Sequence, residues 1–371
     1  GEARFLRVLA GDLVAHKGKG IVAVGPRQPA EVHAVAHRLN ALLGNAGSTV
    51  TYTAEPNPDR PSHREAIAAL ATEIDKGTVD TLLILSGNPA YDAPADLKFD
   101  RMIEKVKRSI HLASYEDETS RLCKWHVNRA HFLETWGDAR AFDGTYTVAQ
   151  PLIAPLHGGK SPLELLALLL GEEAADGQKI VRTAFNRVAR ECKAEGDSDT
   201  LWRESLDRGL LAGSAATAVK VEPSAAKPET VAKRETQGLE LVFVADSKLF
   251  DGRYANNGWL QELPDFITKL TWDNAALFGP ATATKYGVVD GRLIKLILGG
   301  KTLTVAANIV PGQAEGSVTL ALGYGRTSAG VVGGSAADGV SPIGFNSYTL
   351  RTTTGMDFVP GLKVEPTTGD Y

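Results

Sequence analysis

The stretch Val79-Asp80-Thr81-Leu82-Leu83-Ile84-Leu85-Ser86-Gly87-Asn88-Pro89 carries the fold class. Its apolar run shows no in–out alternation and stops at a Ser-Gly-Asn-Pro turn. A short strand of that kind is covered on both faces, as strands are in parallel sheets. The same pattern recurs on either side. Gly20-Ile21-Val22-Ala23-Val24-Gly25 reads as a buried strand, and Pro29 and Glu31 open a helix after it. In that helix Val32, Val35, Ala36, Leu39, Leu42 and Leu43 recur at three- and four-residue spacing, and Gly44 ends it. The β-branched run Ser48 to Thr53 predicts a further strand. Arg64 to Lys76 is a helix with Ile67, Leu70, Ala71 and Ile74 on one face; Asp96 to Lys107 is helical, and Ser109 to Ser114 is a strand. Alternating strands and helices predict an α/β domain with a covered parallel sheet.

Farther out the grammar changes. Residues 160 to 212 read as helical, with Ile180, Val181, Ala184, Phe185 and Val188 on one stripe and Leu201, Trp202, Leu206 and Leu210 on another. Residues 213 to 238 are dominated by Ala, Lys, Pro, Thr and Glu and read as a linker or long loop. After Leu239 the period becomes two: Leu303, Val305, Ala307 and Ile309 alternate with Thr302, Thr304, Ala306 and Asn308, and Val318, Leu320 and Leu322 with Ser317, Thr319 and Ala321. Turn-like joints at 289–291, 298–300 and 311–316 separate these runs, which predicts a β-sandwich or barrel.

Composition removes whole classes of function. The chain has 371 residues and a formal net charge of −4, which argues against a protein that coats nucleic acid. Hydrophobic residues make up 43%, too many for a mostly disordered chain. No apolar run approaches the roughly 18 residues a spanning helix needs. Only Cys123 and Cys192 are present, so no conventional four-ligand iron–sulfur cluster or four-cysteine zinc site can be built from this chain alone. Gly1 is not an initiator Met and no secretory signal pattern follows it, so the chain reads as a fragment or processed product.

Several constellations carry candidate chemistry. The Ser86-Gly87-Asn88 loop follows a predicted strand, where open parallel sheets bind ligands; Asn88 offers a donor and an acceptor, and Gly87 allows close backbone approach. The same loop also reads as an ordinary strand-to-turn joint. The acidic run Glu116-Asp117-Glu118 before Thr119 has the residues to bind a cation or exchange protons, or to form a solvated loop that caps a helix. His33 and His37 lie four apart without the Glu of a metalloprotease helix, and read as solvated. Cys123, His126 and His131 have partial metal-ligand spacing, set against simple packing with Trp125 and Phe132. Gly323-Tyr324-Gly325-Arg326, followed by Gly330, Gly333, Gly334 and Gly339, is no dinucleotide fingerprint, which disfavours a nicotinamide dehydrogenase. Such a segment beside a barrel suits either a large cofactor or a loop.

These pieces, in this order, resemble the C-terminal half of a molybdopterin oxidoreductase large subunit over roughly residues 18–160 and 239–350. The marks are Gly87-Asn88-Pro89, Glu118-Thr119, Asp143-Gly144-Thr145, Thr282-Ala283, Tyr286 to Gly291, Pro311-Gly312 and Gly323-Tyr324-Gly325. Asn88 to Asp96, Tyr115 to Thr119, Trp136 to Arg140, Gln150 to Leu156, Asn256 to Pro264 and Leu270 to Asn274 look, more closely, like the iron–sulfur subunit of alternative complex III. The resemblance implies a Rossmann-like parallel-sheet domain with added helices over 1–212, a linker over 213–238, and a double-psi β-barrel domain over 239–371. It implies a subunit of a complex that oxidises membrane quinol and passes the electrons to a periplasmic acceptor, at the periplasmic face of the inner membrane. The partners would be the other domains of the same subunit, quinol-oxidising membrane subunits and cytochrome c subunits. The iron–sulfur clusters would lie in parts of the subunit beyond this chain.

No catalytic or metal-binding residue is expected here, and the chain would act as a scaffold without its own cofactor. The alternative is an active oxidoreductase with molybdopterin guanine dinucleotide held between the two domains. Its contacts would be Ser86, Gly87, Asn88, Glu118 and Thr119 on one side and Tyr324, Arg326 and Asn346 on the other. In place of the Ala-Asp-x-x-Leu-Pro of true molybdenum enzymes stands Cys123-Lys124-Trp125-His126-Val127-Asn128-Arg129-Ala130-His131. Those bulky and charged groups are expected to obstruct a cofactor cleft.

Overall fold

The computed structural model describes residues 1–172, 175–222 and 238–371. By contact they form two compact units. The first comprises Gly1–Arg60, Phe132–Ala154 and the described part of Leu163–Arg234; the second comprises Pro61–His131, Pro155–Pro162 and the described part of Glu235–Tyr371. The units follow contact and not chain order, so the sheet and the barrel share a unit. Most of the expected linker, 223–237, lies outside the described residues.

Helix α1 (Glu2–Ala15) buries none of its side chains, and α2 (Ala30–Leu42) follows Pro29 as its spacing predicts. The segment between them is not the expected strand. Gly20–Gly25 runs outside any sheet, and Val22 satisfies its backbone on one side chain: its N–H donates to Asn40 Oδ1 and its carbonyl accepts from Asn40 Nδ2, both at 2.8 Å. The amide thus mimics a neighbouring strand, which an apolar pattern cannot reveal. Ser48–Thr53 is likewise no strand and makes only isolated bridges, Ala46 to Val50 and Thr53 to Ala218.

In the second unit, α3 (His63–Asp75) begins with a capping box between Ser62 and Glu65. Then come β1 (Thr81–Leu85), the short α4 (Pro89–Asp92) and α5 (Phe99–Lys105), β2 (Arg108–Ala113), α6 (Glu118–Leu122) and β3 (Trp125–Asn128). The strands pair in parallel in the order β1-β2-β3, with Thr81 opposite Arg108 and Ile110 opposite Trp125. Ala71, Ile74, Leu82, Phe99, Ile103 and Val106 form the core between this sheet and its helices. The third strand therefore comes from the 123–131 stretch.

The first unit continues with the hairpin β4 (Gly137–Arg140) and β5 (Tyr146–Ala149), turned at Asp143 and Gly144, and with α7 (Pro162–Leu169), α8 (Gly177–Glu191) and α9 (Ser198–Arg208). Asp176 and Asp197 cap α8 and α9. Phe185 and Trp202, from the two predicted stripes, meet edge to face at 5.1 Å in the core.

The remaining elements are β6 (Leu239–Val244), α10 (Gly258–Glu262), β7 (Ala276–Phe278), α11 (Pro280–Tyr286), β8 (Arg292–Leu298), β9 (Lys301–Ile309), β10 (Ser317–Ala321), β11 (Ser328–Gly330), β12 (Gly334–Ser335) and β13 (Phe358–Asp370). Six strands close a barrel in the order β10-β6-β13-β8-β9-β7. The pairs β6–β10 and β7–β9 are parallel and the others antiparallel. Alternate residues fill the interior, among them Leu241, Phe243, Ile294, Leu296, Val305, Val318 and Leu320, as the period-two pattern requires. No helix among the described residues is long and apolar enough to cross a membrane.

Candidate functional site

Ser86 and Gly87 end β1 with φ of +72° and +82°, so two successive left-handed residues turn the chain sharply into α4. That turn brings Asn88 beside the start of α6. The Asn88 carboxamide divides its work. Its Nδ2 donates to Glu118 Oε2 at 2.7 Å, while its Oδ1 accepts from Thr119 N at 3.1 Å and Thr119 Oγ1 at 2.7 Å. Thr119 Oγ1 in turn accepts from Ala90 N at 3.0 Å and is fully buried.

Glu118 is the centre of the cluster. Arg326 reaches it through Nε, 3.0 Å from both carboxylate oxygens, and through Nη2, 2.7 Å from Oε2. The N–H groups of Thr327 and Ser328 donate to Oε1 at 2.7 and 2.9 Å. Burial by itself would raise the Glu118 pKa. The hydrogen bonds and charge of Arg326, with help from Asn88, outweigh it and hold the carboxyl at about 2. The guanidinium has its own supports: Nη1 donates to Gly252 O at 2.6 Å, and the plane lies over the Tyr91 ring at 4.8 Å.

Tyr91, Asp92 and His111 carry weight that sequence reasoning missed. The Tyr91 hydroxyl donates to the Tyr324 carbonyl at 2.6 Å, and its ring meets Tyr348 edge on at 4.9 Å. Burial, then the charge of Asp251, push the neighbouring Asp92 up to about 7. His111 is fully buried on β2. Its Nε2 lies 3.0 Å from the Gly87 carbonyl, which can only accept, so Nε2 bears the proton. Nδ1 of the neutral ring then accepts from Ser120 Oγ at 2.8 Å, and Ser120 Oγ accepts from His126 Nδ1 at 2.9 Å. Burial lowers the His111 pKa and raises that of Asp117, whose Oδ1 stands 3.5 Å from His111 Nδ1. The only sequence signal for this relay was the apolar strand that holds His111.

The expected residues therefore fall into groups. Asn88, Glu118, Thr119 and Arg326 converge directly. Tyr324 joins through its carbonyl, while its hydroxyl donates to Asp246 Oδ2 at 3.3 Å. Asn346 stands apart, its Oδ1 accepting from Tyr348 N at 3.0 Å to cap a 3-10 turn. Ser86 Oγ accepts from Arg129 Nη1 at 2.7 Å, and Arg129 Nε is buried without a hydrogen-bond partner. Among the described residues no group of three His, Cys, Asp or Glu is placed to hold a metal. Cys123 packs against the sheet–helix core.

The polar atoms of Arg326 and Asn88 that would meet a phosphate are bonded within the chain. A β-carbon on Gly325 would collide with the Asn346 backbone, on Gly330 with the Asn256 side chain, on Gly333 with the Ala255 carbonyl, and on Gly334 with the Arg326 carbonyl. The glycine-rich segment thus lets the chain approach itself. Gly87 differs, with nothing near the position of its missing Cβ. In the 123–131 stretch Lys124 and Trp125 are exposed.

No protein-family model matches the chain. It is similar to the menaquinone reductase, molybdopterin-binding-like subunit of Nitratidesulfovibrio vulgaris (strain Hildenborough), 24% identical over 261 residues, covering 67% of this chain and 36% of that protein. In fold it is similar to acetylene hydratase from Pelobacter acetylenicus, with a TM-score of 0.54 and 15% identity, covering 76% of this chain and 42% of that one. The chain thus spans about a third of the length of the curated relative. It is molybdopterin-oxidoreductase-like in sequence and in fold.

Proposed function

We propose that this chain is a scaffold portion of the iron–sulfur subunit of an alternative-complex-III-like quinol:electron-acceptor oxidoreductase, without a molybdenum cofactor of its own. Quinol gives up its electrons in other subunits at the periplasmic face of the membrane. Clusters in other parts of this subunit relay them, since two cysteines supply too few ligands for a conventional cluster here. The α/β part (1–212) and the barrel part (239–371) hold those cluster-bearing parts and dock the neighbouring subunits. The two parallel pairings in the barrel support a double-psi topology. The curated relative supports the quinone and subunit aspects, being named as a subunit of a menaquinone reductase.

One observation carries the scaffold reading: the Glu118 carboxylate takes up the Arg326 and Asn88 donors that a cofactor phosphate would need. The rival, an active enzyme with a bound pterin dinucleotide, has the open, left-handed Gly87 in its favour. Purification of the complex through a tag on this chain tests both. The expected preparation oxidises quinol, contains iron and releases no pterin when denatured and oxidised. Stoichiometric molybdenum and fluorescent pterin would reverse the reading in favour of the rival.

A further inference from the structure

The donors around Glu118 are arranged as for a bound anion. Arg326 Nε and Nη2, the N–H groups of Thr327 and Ser328, and Asn88 Nδ2 converge on one carboxylate. A carboxylate offers about four lone-pair positions, so its accepting capacity is filled. The donors belong to a side chain from the β1 turn and to the backbone and side chain of 326–328. Glu118 is distant from both in sequence, by 30 residues from Asn88 and 208 from Arg326.

The donors also have supports other than Glu118. Gly252 O and the Tyr91 ring hold the guanidinium, Thr119 holds Asn88 Oδ1, Ala336 N donates to the Thr327 carbonyl at 2.9 Å, and Ser328 lies in β11. Arg326 is only 6% exposed. Without the Glu118 carboxylate, a buried cation and several N–H groups would remain unpaired, which is costly. The nearby Asp117 is already engaged, its Oδ1 accepting from Ser120 N at 2.9 Å.

We infer that Arg326, the Thr327 and Ser328 N–H groups and the Asn88 carboxamide form an oxyanion site whose ligand is the chain's own Glu118, and that the site takes a free small carboxylate or phosphate once that side chain is removed. The site matches the planar, two-oxygen geometry that a guanidinium fork recognises. It is closed in the native chain by an internal substitute. The inference is independent of the quinol assignment.

The substitution Glu118→Ala removes a CH2–COO⁻ group, which acetate replaces almost atom for atom. Thermal unfolding of wild type, E118A and E118Q is followed in acetate, in inorganic phosphate and in chloride of matched ionic strength. E118A is expected to melt below wild type and to recover several degrees, saturably, in acetate or phosphate. Wild type and E118Q are expected to follow chloride alone, their site being filled by carboxylate or amide. If E118A does not fold in chloride, the expected result is refolding in acetate or phosphate only. Identical responses of E118A and wild type, or failure of both anions to restore E118A beyond chloride, would overturn the inference.

Discussion

Two carboxyl groups, Glu118 and Asp92, are shifted in opposite directions, and each sets a pH signature. Glu118 is held at about 2 against an ordinary 4.5, so its folded form favours the ionised state. The stability it contributes is complete above pH 4.5 and is lost as pH falls toward 2. The gap in stability between wild type and E118Q is therefore expected to be widest near neutrality and to close in acid, as read from denaturant titrations across pH. Asp92 has the opposite sign. Its folded pKa of about 7 exceeds the ordinary 3.8, so the fold prefers the protonated carboxyl and loses stability as pH rises between those values. D92N is expected to melt above wild type at pH 8 and to lose that advantage by pH 4. In the relay, S120A removes the hydroxyl shared by His111 and His126; the expected cost is about 1–3 kcal/mol, measured by chemical denaturation. None of these shifts was legible from residue type. The acidic run 116–118 gave no indication that its middle and last members would meet a histidine and an arginine respectively.

Among the elements, the helices were the most legible, because an apolar face at helical spacing and a capping residue are both local. The stripes of α8 and α9 do meet in one core, where Trp202 stacks on Trp136 at 5.8 Å and is 4% exposed. W202A is expected to cost about 3–5 kcal/mol through lost burial and a cavity. Removing only the α9 cap, with D197A, is expected to cost about 1 kcal/mol. Circular dichroism with urea unfolding separates the two. The strands were less legible. The runs at 79–85 and 109–114 form β1 and β2, whereas Gly20–Gly25 and Ser48–Thr53 have strand-like composition and no sheet to join. An apolar run makes extended backbone favourable, but sheet membership requires a neighbour at about 4.8 Å. For Val22 the neighbour is the Asn40 amide. β2 has two, β1 and β3, the second drawn from a segment whose polar content hid it.

Across the whole molecule, composition set firm limits: a folded chain, no spanning helix, and too few cysteines for a conventional cluster. Period two after Leu239 announced a sandwich or barrel, between which only the closed strand order decides, and the order of short motifs pointed to a molybdopterin-oxidoreductase-like chain. These properties were readable because alternation, helical spacing and composition are written in near neighbours. The direct bonding of Asn88 and Arg326 to Glu118 was not, nor was the use of the late glycines for self-contact. Each depends on groups separated by tens to hundreds of residues, and their meeting is fixed by how the sheet and barrel pack within one unit. Whether Arg326 faces an external phosphate or an internal carboxylate is an electrostatic choice made only when the chain folds, because only then does a buried cation require a particular counter-charge.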